Sequence, residues 1–189
     1  MMLNHKGTQE IRTERLVLRA VKADDYKDMY EYMSIEKMSR YVTWKRHENE
    51  NVTKELCEMW ANQYTDERYN WAITLDGKAV GNIDIIKIYE NTAYMGWQIS
   101  PKHWNKGMVT EAAKAVFDFL FTQIGIETIE ACHIDENIAS GRVMQKNGMR
   151  PIHTEESVYY KLNNTCEMNG MPVISYKITR EEWLCQNAQ

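Results

Sequence analysis

The sequence holds little glycine (9) and little proline (3) in 189 residues. That scarcity argues against flexible linkers and collagen-like repeats. Phenylalanine is also rare, at 3 against 11 Tyr and 6 Trp. The aromatic side chains therefore mostly carry a polar tip, which suits half-open pockets as well as cores. The four cysteines, Cys57, Cys132, Cys166 and Cys185, form no C-x-x-C pair and are irregularly spaced. A zinc or disulfide framework is not expected, nor any other metal. There is no cationic excess. The net charge of −4 lacks the basic footprint of a nucleic-acid binder, so no direct nucleic-acid partner is expected. The opening MMLNHKGTQEIRTERL has no apolar stretch of the secretory kind, and no apolar run approaches membrane-spanning length. The expectation is a cytoplasmic protein with no membrane partner. Both G-x-x-x-x-G-K-[ST] and G-x-G-x-x-G are missing, which excludes the P-loop and the dinucleotide fingerprint.

What is there is ordinary globular sequence, 43 % hydrophobic and 26 % charged. The length suits one domain with a proper core. We expect a flexible arm over 1–12 and a single domain over 13–189. RLVLRAV (Arg15 to Val21) alternates like a half-buried strand. A helix opens at Asp24-Asp25, and a second runs from about Glu50 to Tyr64. Three strands follow, Tyr69 to Leu75, Lys78 to Tyr89 and Thr92 to Ile99. Asp76-Gly77 marks the first turn, and the three should form an antiparallel meander.

Met108 to Ile124 then follows the i, i+3, i+4, i+7 template of an amphipathic helix, with Gly125 as its stop. Thr128 to Ile134 reads as a strand and Asn137 to Asn147 as a helix ending at Gly148. Further strands are expected around Tyr159 and over Val173 to Ile178, then an acidic turn, TREEW. A strand–helix–strand crossover over Thr92 to Ile134 requires a parallel pair. The fold class is thus α/β: one mixed, mostly antiparallel sheet of about seven strands with a parallel pair in the middle, flanked by helices.

Two stretches carry chemistry. WNKGMVTEAAKAVFDFLF introduces its helix through Asn105-Lys106-Gly107. The first N–H groups of a helix have no internal partner. Beside them Lys102, His103 and Lys106 are locally positive, so the helix start can hold an anion. A glycine in an ordinary strand-to-helix turn would give the same letters. In DENIASGRVMQKNGM, Asn137 and Ser140 stand one helical turn apart, at the end of the parallel strand, where open α/β sheets hold ligands. Asn137 could equally be a plain helix cap.

Taken together, GWQIS, PKHWNKGMVT, EAAKAVFDFLF, IEACHI and ENIASGRVMQKNGM resemble the GCN5-related N-acetyltransferase (GNAT) superfamily. TERLVLR narrows the resemblance to the branch that acetylates the N-termini of ribosomal proteins (RimJ/RimL-like). The resemblance spans Thr13 to Trp183. It implies an acyltransferase using acetyl-CoA, with coenzyme A as product and no metal. Its acceptor would be a primary amine, a ribosomal-protein N-terminus first of all, and the enzyme a monomer or homodimer. Asn105, Lys106, Gly107, Met108, Val109 and Thr110 would wrap the pyrophosphate. Gln98, Ile99 and Ser100 would pair with the pantetheine arm beside splayed strands. Asn137 would touch the arm, Ser140 would lie near the thioester sulfur, and Lys146 is a further cofactor contact. Val109 departs from the family pattern, which has Gly or Ala there; it would crowd the phosphates or point into the core.

The implied reaction is attack of a neutral amine on a thioester. A peptide α-amine, with a pKa of about 7.7–8.0 against about 10.4 for lysine, needs only a weak base. The strand Tyr94 to Ile99 supplies no glutamate for that role. Asp84, on one strand face with Asn82 and Ile86, is a candidate base if partly buried, and a plain edge-strand aspartate otherwise. His133 and His153 are lesser candidates. Cys132-His133 is not a catalytic pair, because neighbours in a strand point to opposite faces. Ser140 is expected to protonate the departing thiolate, and a backbone N–H near Gln98 or Ile99 to meet the oxyanion. Other readings stay open: a polyamine or antibiotic acetyltransferase, a non-catalytic CoA-binding module, and a nucleotide-binding regulator.

Overall fold

The structure is a computed structural model and describes residues 2–63 and 65–187. Tyr64, expected on the stripe of the second helix, lies outside the described residues. Among the described residues nine strands form the sheet: β1 (Ile11–Arg12), β2 (Val17–Ala20), β3 (Asn70–Leu75), β4 (Lys78–Tyr89), β5 (Thr92–Ile99), β6 (Thr128–Ile134), β7 (Arg150–Ile152), β8 (Glu167–Met168) and β9 (Met171–Thr179). Hydrogen-bonded neighbours run β1-β2-β3-β4-β5-β6-β9-β7, with β8 on β9. Only β5 and β6 are paired in parallel among the registers resolved; β1–β2, β2–β3, β3–β4, β6–β9, β7–β9 and β8–β9 are antiparallel. The excess over seven strands comes from short pieces such as β1 and β8, two residues each and too brief for a periodicity to show.

The contacts divide the chain into two compact units, and β4, β5 and one helix run from one into the other. One unit holds His5–Asp84 and Trp97–Ala115. Its helices are α1 (Tyr26–Met33), α2 (Glu36–Ser39) and α3 (Glu50–Asn62). They enclose a cluster of Val21, Met29, Tyr32, Met33, Met38, Cys57, Ala72 and Ala79, with Trp44, Trp60 and Trp104 packed on it. Asn49 caps α3 by accepting from the Asn51 N–H at 3.0 Å. Residues 7–9, expected in a free arm, are bound to the β3 segment. The Gly7 N–H donates to the Asp66 carbonyl at 2.7 Å, Asn70 N–H to Thr8 Oγ1 at 2.9 Å, and Trp71 Nε1 to the Gln9 carbonyl at 2.8 Å.

The other unit takes Ile85–Gly96 and the chain from Val116 on, with the N-terminal tip up to Asn4. The helix α4 (Met108–Phe119) continues as a π-helical turn over Leu120–Ile124 and stops at left-handed Gly125. Phe117 and Phe121 pack on Trp183 at ring distances of 5.6 and 6.0 Å. α5 (Ile138–Lys146) follows β6 as expected. The strand expected around Tyr159 is instead a helix, α6 (Val158–Asn163). Ser157 caps it by accepting from the Tyr160 N–H, and left-handed Asn164 ends it. TREEW is likewise the start of a helix, α7 (Arg180–Asn187), rather than a turn. Glu182 accepts from the Thr179 N–H at 2.7 Å, and the Glu182 N–H donates to Thr179 Oγ1 at 3.2 Å, a reciprocal cap.

The β5–β6 ladder is short: Thr92↔Thr128, Ala93↔Ile129 and Tyr94↔Glu130. β6 pairs with β9 over all seven of its residues. From Met95 onward, β5 has no partner in the β6 ladder. The splayed pair expected from the resemblance takes this form.

Candidate active site

The loop before α4 is held by its neighbours in the same unit. Asn105 and Gly107 both adopt left-handed backbone, φ 60° and 73°. Glycine has no penalty there, and asparagine tolerates it better than most residues. The first intrahelical bond runs from the Glu111 N–H to the Gly107 carbonyl at 3.0 Å. The N–H groups of Met108 and Val109 precede it, where a helix has no internal acceptor.

Glu111 places an anion in that first turn, beside the helix start expected to hold one. Arg15 resolves the conflict. It donates through Nε to Glu111 Oε2 at 2.7 Å and through Nη1 to the Lys106 carbonyl at 3.0 Å. Thr13 Oγ1 and the Arg15 N–H donate to Glu111 Oε1, at 2.6 and 3.0 Å. Burial alone would raise the Glu111 carboxyl; the bonds from Thr13 and Arg15 outweigh it and hold the group below its ordinary value. TERLVLR and EAAKAVFDFLF served in the sequence only as family markers, and nothing in their letters states that Thr13 and Arg15 grip Glu111. Of the three loop cations, Lys102 is committed to Glu31 at 2.6 Å. Burial, then Lys106 and Lys102, push the His103 pKa down.

Val109 is 9 % exposed, so its side chain points into the protein and leaves the outer face of the turn clear.

At the end of β5, alternation decides which backbone groups face which edge. The Ser100 N–H donates to the Val80 carbonyl at 2.8 Å, which turns residues 98 and 100 toward β4. A side chain at Gly81 would collide with the Gln98 carbonyl oxygen, so the two strands close up tightly here. Of the three residues expected to meet the pantetheine, Ile99 alone presents its backbone to the other edge. Its carbonyl already accepts from Trp104 Nε1 at 2.9 Å, which leaves its N–H. Trp97 shares that parity; counting the alternation along GWQIS was the signal for it.

The Gln98 side chain does something else. Its Nε2 donates to Asn82 Oδ1 at 2.6 Å, on the face that also carries Asp84. Asp84 lies opposite Asn70 in the β3–β4 ladder. Part of the residue's surface remains open, yet the carboxyl itself lies deep among protein atoms. Burial pushes it up to about 6, against the pull of Arg68. The sequence expectation asked for partial burial, and that is what the strand provides.

In the other unit, Asn137 is the N-cap of α5. Its Oδ1 accepts from the Ser140 N–H at 3.4 Å, and its Nδ2 donates to Ser140 Oγ at 3.1 Å. One lone pair of the hydroxyl is thereby filled, and its proton stays free for a further acceptor. Both residues are half-buried, and Lys146 is exposed in the last turn of α5. His133 is 7 % exposed; Nδ1 sits 2.8 Å from the Ile134 carbonyl and Nε2 has no partner among the described residues. It packs beside Gly141 and Tyr176, while Cys132 points the other way, onto Tyr94 at 2.9 Å. The pair is split across the sheet, as strand alternation requires. His153 is exposed before a short 3-10 turn. Among the described residues no cluster of His, Cys, Asp or Glu could hold a metal ion, and no helix is long and apolar enough to cross a membrane.

Residues 15–150 match the family described as Acetyltransferase (GNAT) domain. Over 145 residues the chain is 32 % identical to the uncharacterized N-acetyltransferase YnaD of Bacillus subtilis, covering 74 % of this chain and 82 % of that protein. The crystal structure of a GNAT-family acetyltransferase from Bacillus anthracis superposes with a TM-score of 0.75 at 26 % identity, over 92 % of this chain and 99 % of the other. Mycobacterium smegmatis RimJ, solved with CoA-disulfide, shares the fold at a TM-score of 0.70 and 19 % identity, over 96 % and 91 % of the two chains. The chain therefore belongs to the GNAT acetyltransferase family and is an acyltransferase.

Proposed function

We propose that the protein transfers the acetyl group of acetyl-CoA to the α-amine of a protein N-terminus. The observation that carries this reading is the Asn137–Ser140 contact, which fills a lone pair of the hydroxyl and leaves its proton to give. The chain's groups fit the cofactor. The left-handed Asn105 and Gly107, with the N–H groups of Met108 and Val109, suit a pyrophosphate, and Arg15 keeps Glu111 from repelling it. Lys106 and Thr110 complete that loop. The unpaired edge of β5 suits the pantetheine, through Trp97 and Ile99 more than through Gln98 and Ser100. Asn137 and Lys146 are further contacts.

Acetyl-CoA supplies an acetyl group activated as a thioester. The amine nitrogen forms the new C–N bond and the C–S bond breaks. Ser140 gives its proton to the departing sulfur and is reprotonated from solvent, to which Asp84 returns the proton it takes; the Ile99 N–H is the donor toward the developing oxyanion. Asp84 takes the proton that the amine loses. A carboxyl near 6 is a weak base, matched to an α-amine of pKa about 7.7–8.0 and poorly matched to lysine. That match favours an N-terminus over a lysine side chain. The single domain over 13–189, the cytoplasmic location and a monomeric or dimeric state belong to the same reading.

A peptide with a free N-terminus and an internal lysine tests the choice of amine. Mass spectrometry should place the acetyl group on the α-amine at neutral pH. Modification of the lysine alone contradicts the assignment.

A further inference from the structure

A cavity lies wholly within the unit that carries α1. It has a volume of about 200 Å³ and is bounded by α1, the start of β4 and the turn after β5. A water fills about 30 Å³ of liquid, so the space takes a small molecule, and it is below the usual range for drug-sized ligands. Coenzyme A is far too large for it.

Its lining mixes polar and apolar surface, and two of its residues hold buried polar atoms without partners among the described residues. Tyr32 is 1 % exposed, and its hydroxyl has no partner among the described residues. Burial first, then Cys57 and the carboxylates Asp25 and Asp28, raise its pKa, so it remains a hydrogen-bonding O–H. His103 Nδ1 is also buried without a partner. Burial holds that ring neutral, able to donate or accept. Both atoms are closed to solvent and sit behind the cavity wall, so its recognition groups are the charged ones at the rim. Ser100 adds a third polar side chain to the wall.

The rim carries both signs. Asp28 bonds the Ala79 N–H through Oδ2 at 3.0 Å, and no bond is recorded to its other oxygen among the described residues. Glu31 is paired with Lys102 at 2.6 Å. Lys78 also lines the cavity and has no ion pair among the described residues, its charge acting on Glu31 at longer range. A carboxylate oxygen without a bond and an ammonium without an ion pair on one small cavity match a zwitterion.

We propose that this cavity is a second binding site, for a small zwitterion with the charge pattern of a free α-amino acid. The ammonium of the ligand meets Asp28 and its carboxylate meets Lys78. The site needs no acetyl-CoA, so it stands or falls separately from the acetyl-transfer reading.

Calorimetry on the full chain without acetyl-CoA, against the proteinogenic L-amino acids, tests it. Saturable binding of at least one free amino acid is expected. Its amide, which lacks the carboxylate, and its N-acetyl form, which lacks the ammonium, should each bind about tenfold more weakly or worse. Lys78→Met and Asp28→Asn should weaken binding by a similar factor. The asparagine keeps an acceptor for the Ala79 N–H, and Lys78→Met alters only an exposed side chain, so a folded variant remains if the first is unstable. No saturable binding by any amino acid would overturn the proposal. So would equal binding of the amide, of a diamine or of a dicarboxylate, or affinity unchanged in Lys78→Met.

Discussion

Asn137 Nδ2 lies 3.1 Å from Ser140 Oγ, while the same side chain accepts from the Ser140 N–H. One asparagine thus starts α5 and fixes the direction of the hydroxyl. The cap and the proposed acid are a single arrangement.

Ser140→Ala removes the proton donor without touching the Asn137 cap bond to the backbone. General acid catalysis contributes about a hundredfold to ten-thousandfold. The variant should lose kcat by at least the lower figure while its affinity for coenzyme A, read by calorimetry, changes little. An equal loss in both would mean that Ser140 only binds.

Arg15 and Glu111 should act as a unit. Arg15→Met frees an anion in the first turn of α4 and lets go of the Lys106 carbonyl. Acetyl-CoA KM should rise about tenfold or more, since a charge-assisted bond contributes about 1.5–3 kcal/mol. Combined with Glu111→Gln, the loss should be smaller than the sum of the single losses, because Gln removes the charge that Arg15 offsets. Strict additivity in steady-state KM values would contradict the coupling of Arg15 to Glu111.

Val109→Ala should cost stability rather than improve cofactor binding. The side chain is buried, and trimming a buried valine removes about two methyl groups, on the order of 1–2 kcal/mol. Thermal unfolding should show a lower Tm with coenzyme A affinity unchanged. A tightened affinity would show that Val109 faces the phosphates after all.

Much of this was readable in the letters. Lys78–Tyr89, Thr92–Ile99 and Thr128–Ile134 stand where alternation put them, and Asp76-Gly77 turns with both residues left-handed. The α4 stripe was equally plain. The misses have physical causes. Val158–Asn163 carries aromatics of strand type, but Ser157 and Asn164 close it as a helix at both ends, and local caps outweigh propensity over six residues. Asn169-Gly170, both left-handed, is a hairpin signal that the reading passed over, and it joins β8 to β9. In the site, residue types were legible while edges were not. Which of Trp97, Gln98, Ile99 and Ser100 faces which neighbour follows from a pairing register, and GWQIS alone does not state it.

Asp84→Asn separates base chemistry from stability. A carboxyl raised in the fold binds its proton more tightly there than in the unfolded chain. Its contribution is most favourable below pH about 4 and is lost as pH rises toward about 6. The variant should therefore be more stable than the parent at pH 7, by about 1–3 kcal/mol, and show no advantage near pH 4. The parent's kcat/KM should climb through a limb near pH 6 that the variant lacks. A limb that survives in Asp84→Asn would assign the proton to another group.

Release of free thiol from acetyl-CoA, measured against a panel of acceptors, bears most directly on the central claim. The panel should contain peptides with free Ser and Ala N-termini, the same peptides with blocked N-termini, polyamines and aminoglycosides. The account predicts steady turnover with the free N-termini and none with the blocked ones. Tight binding of coenzyme A with no turnover on any acceptor, or turnover confined to the polyamines or aminoglycosides, would contradict it.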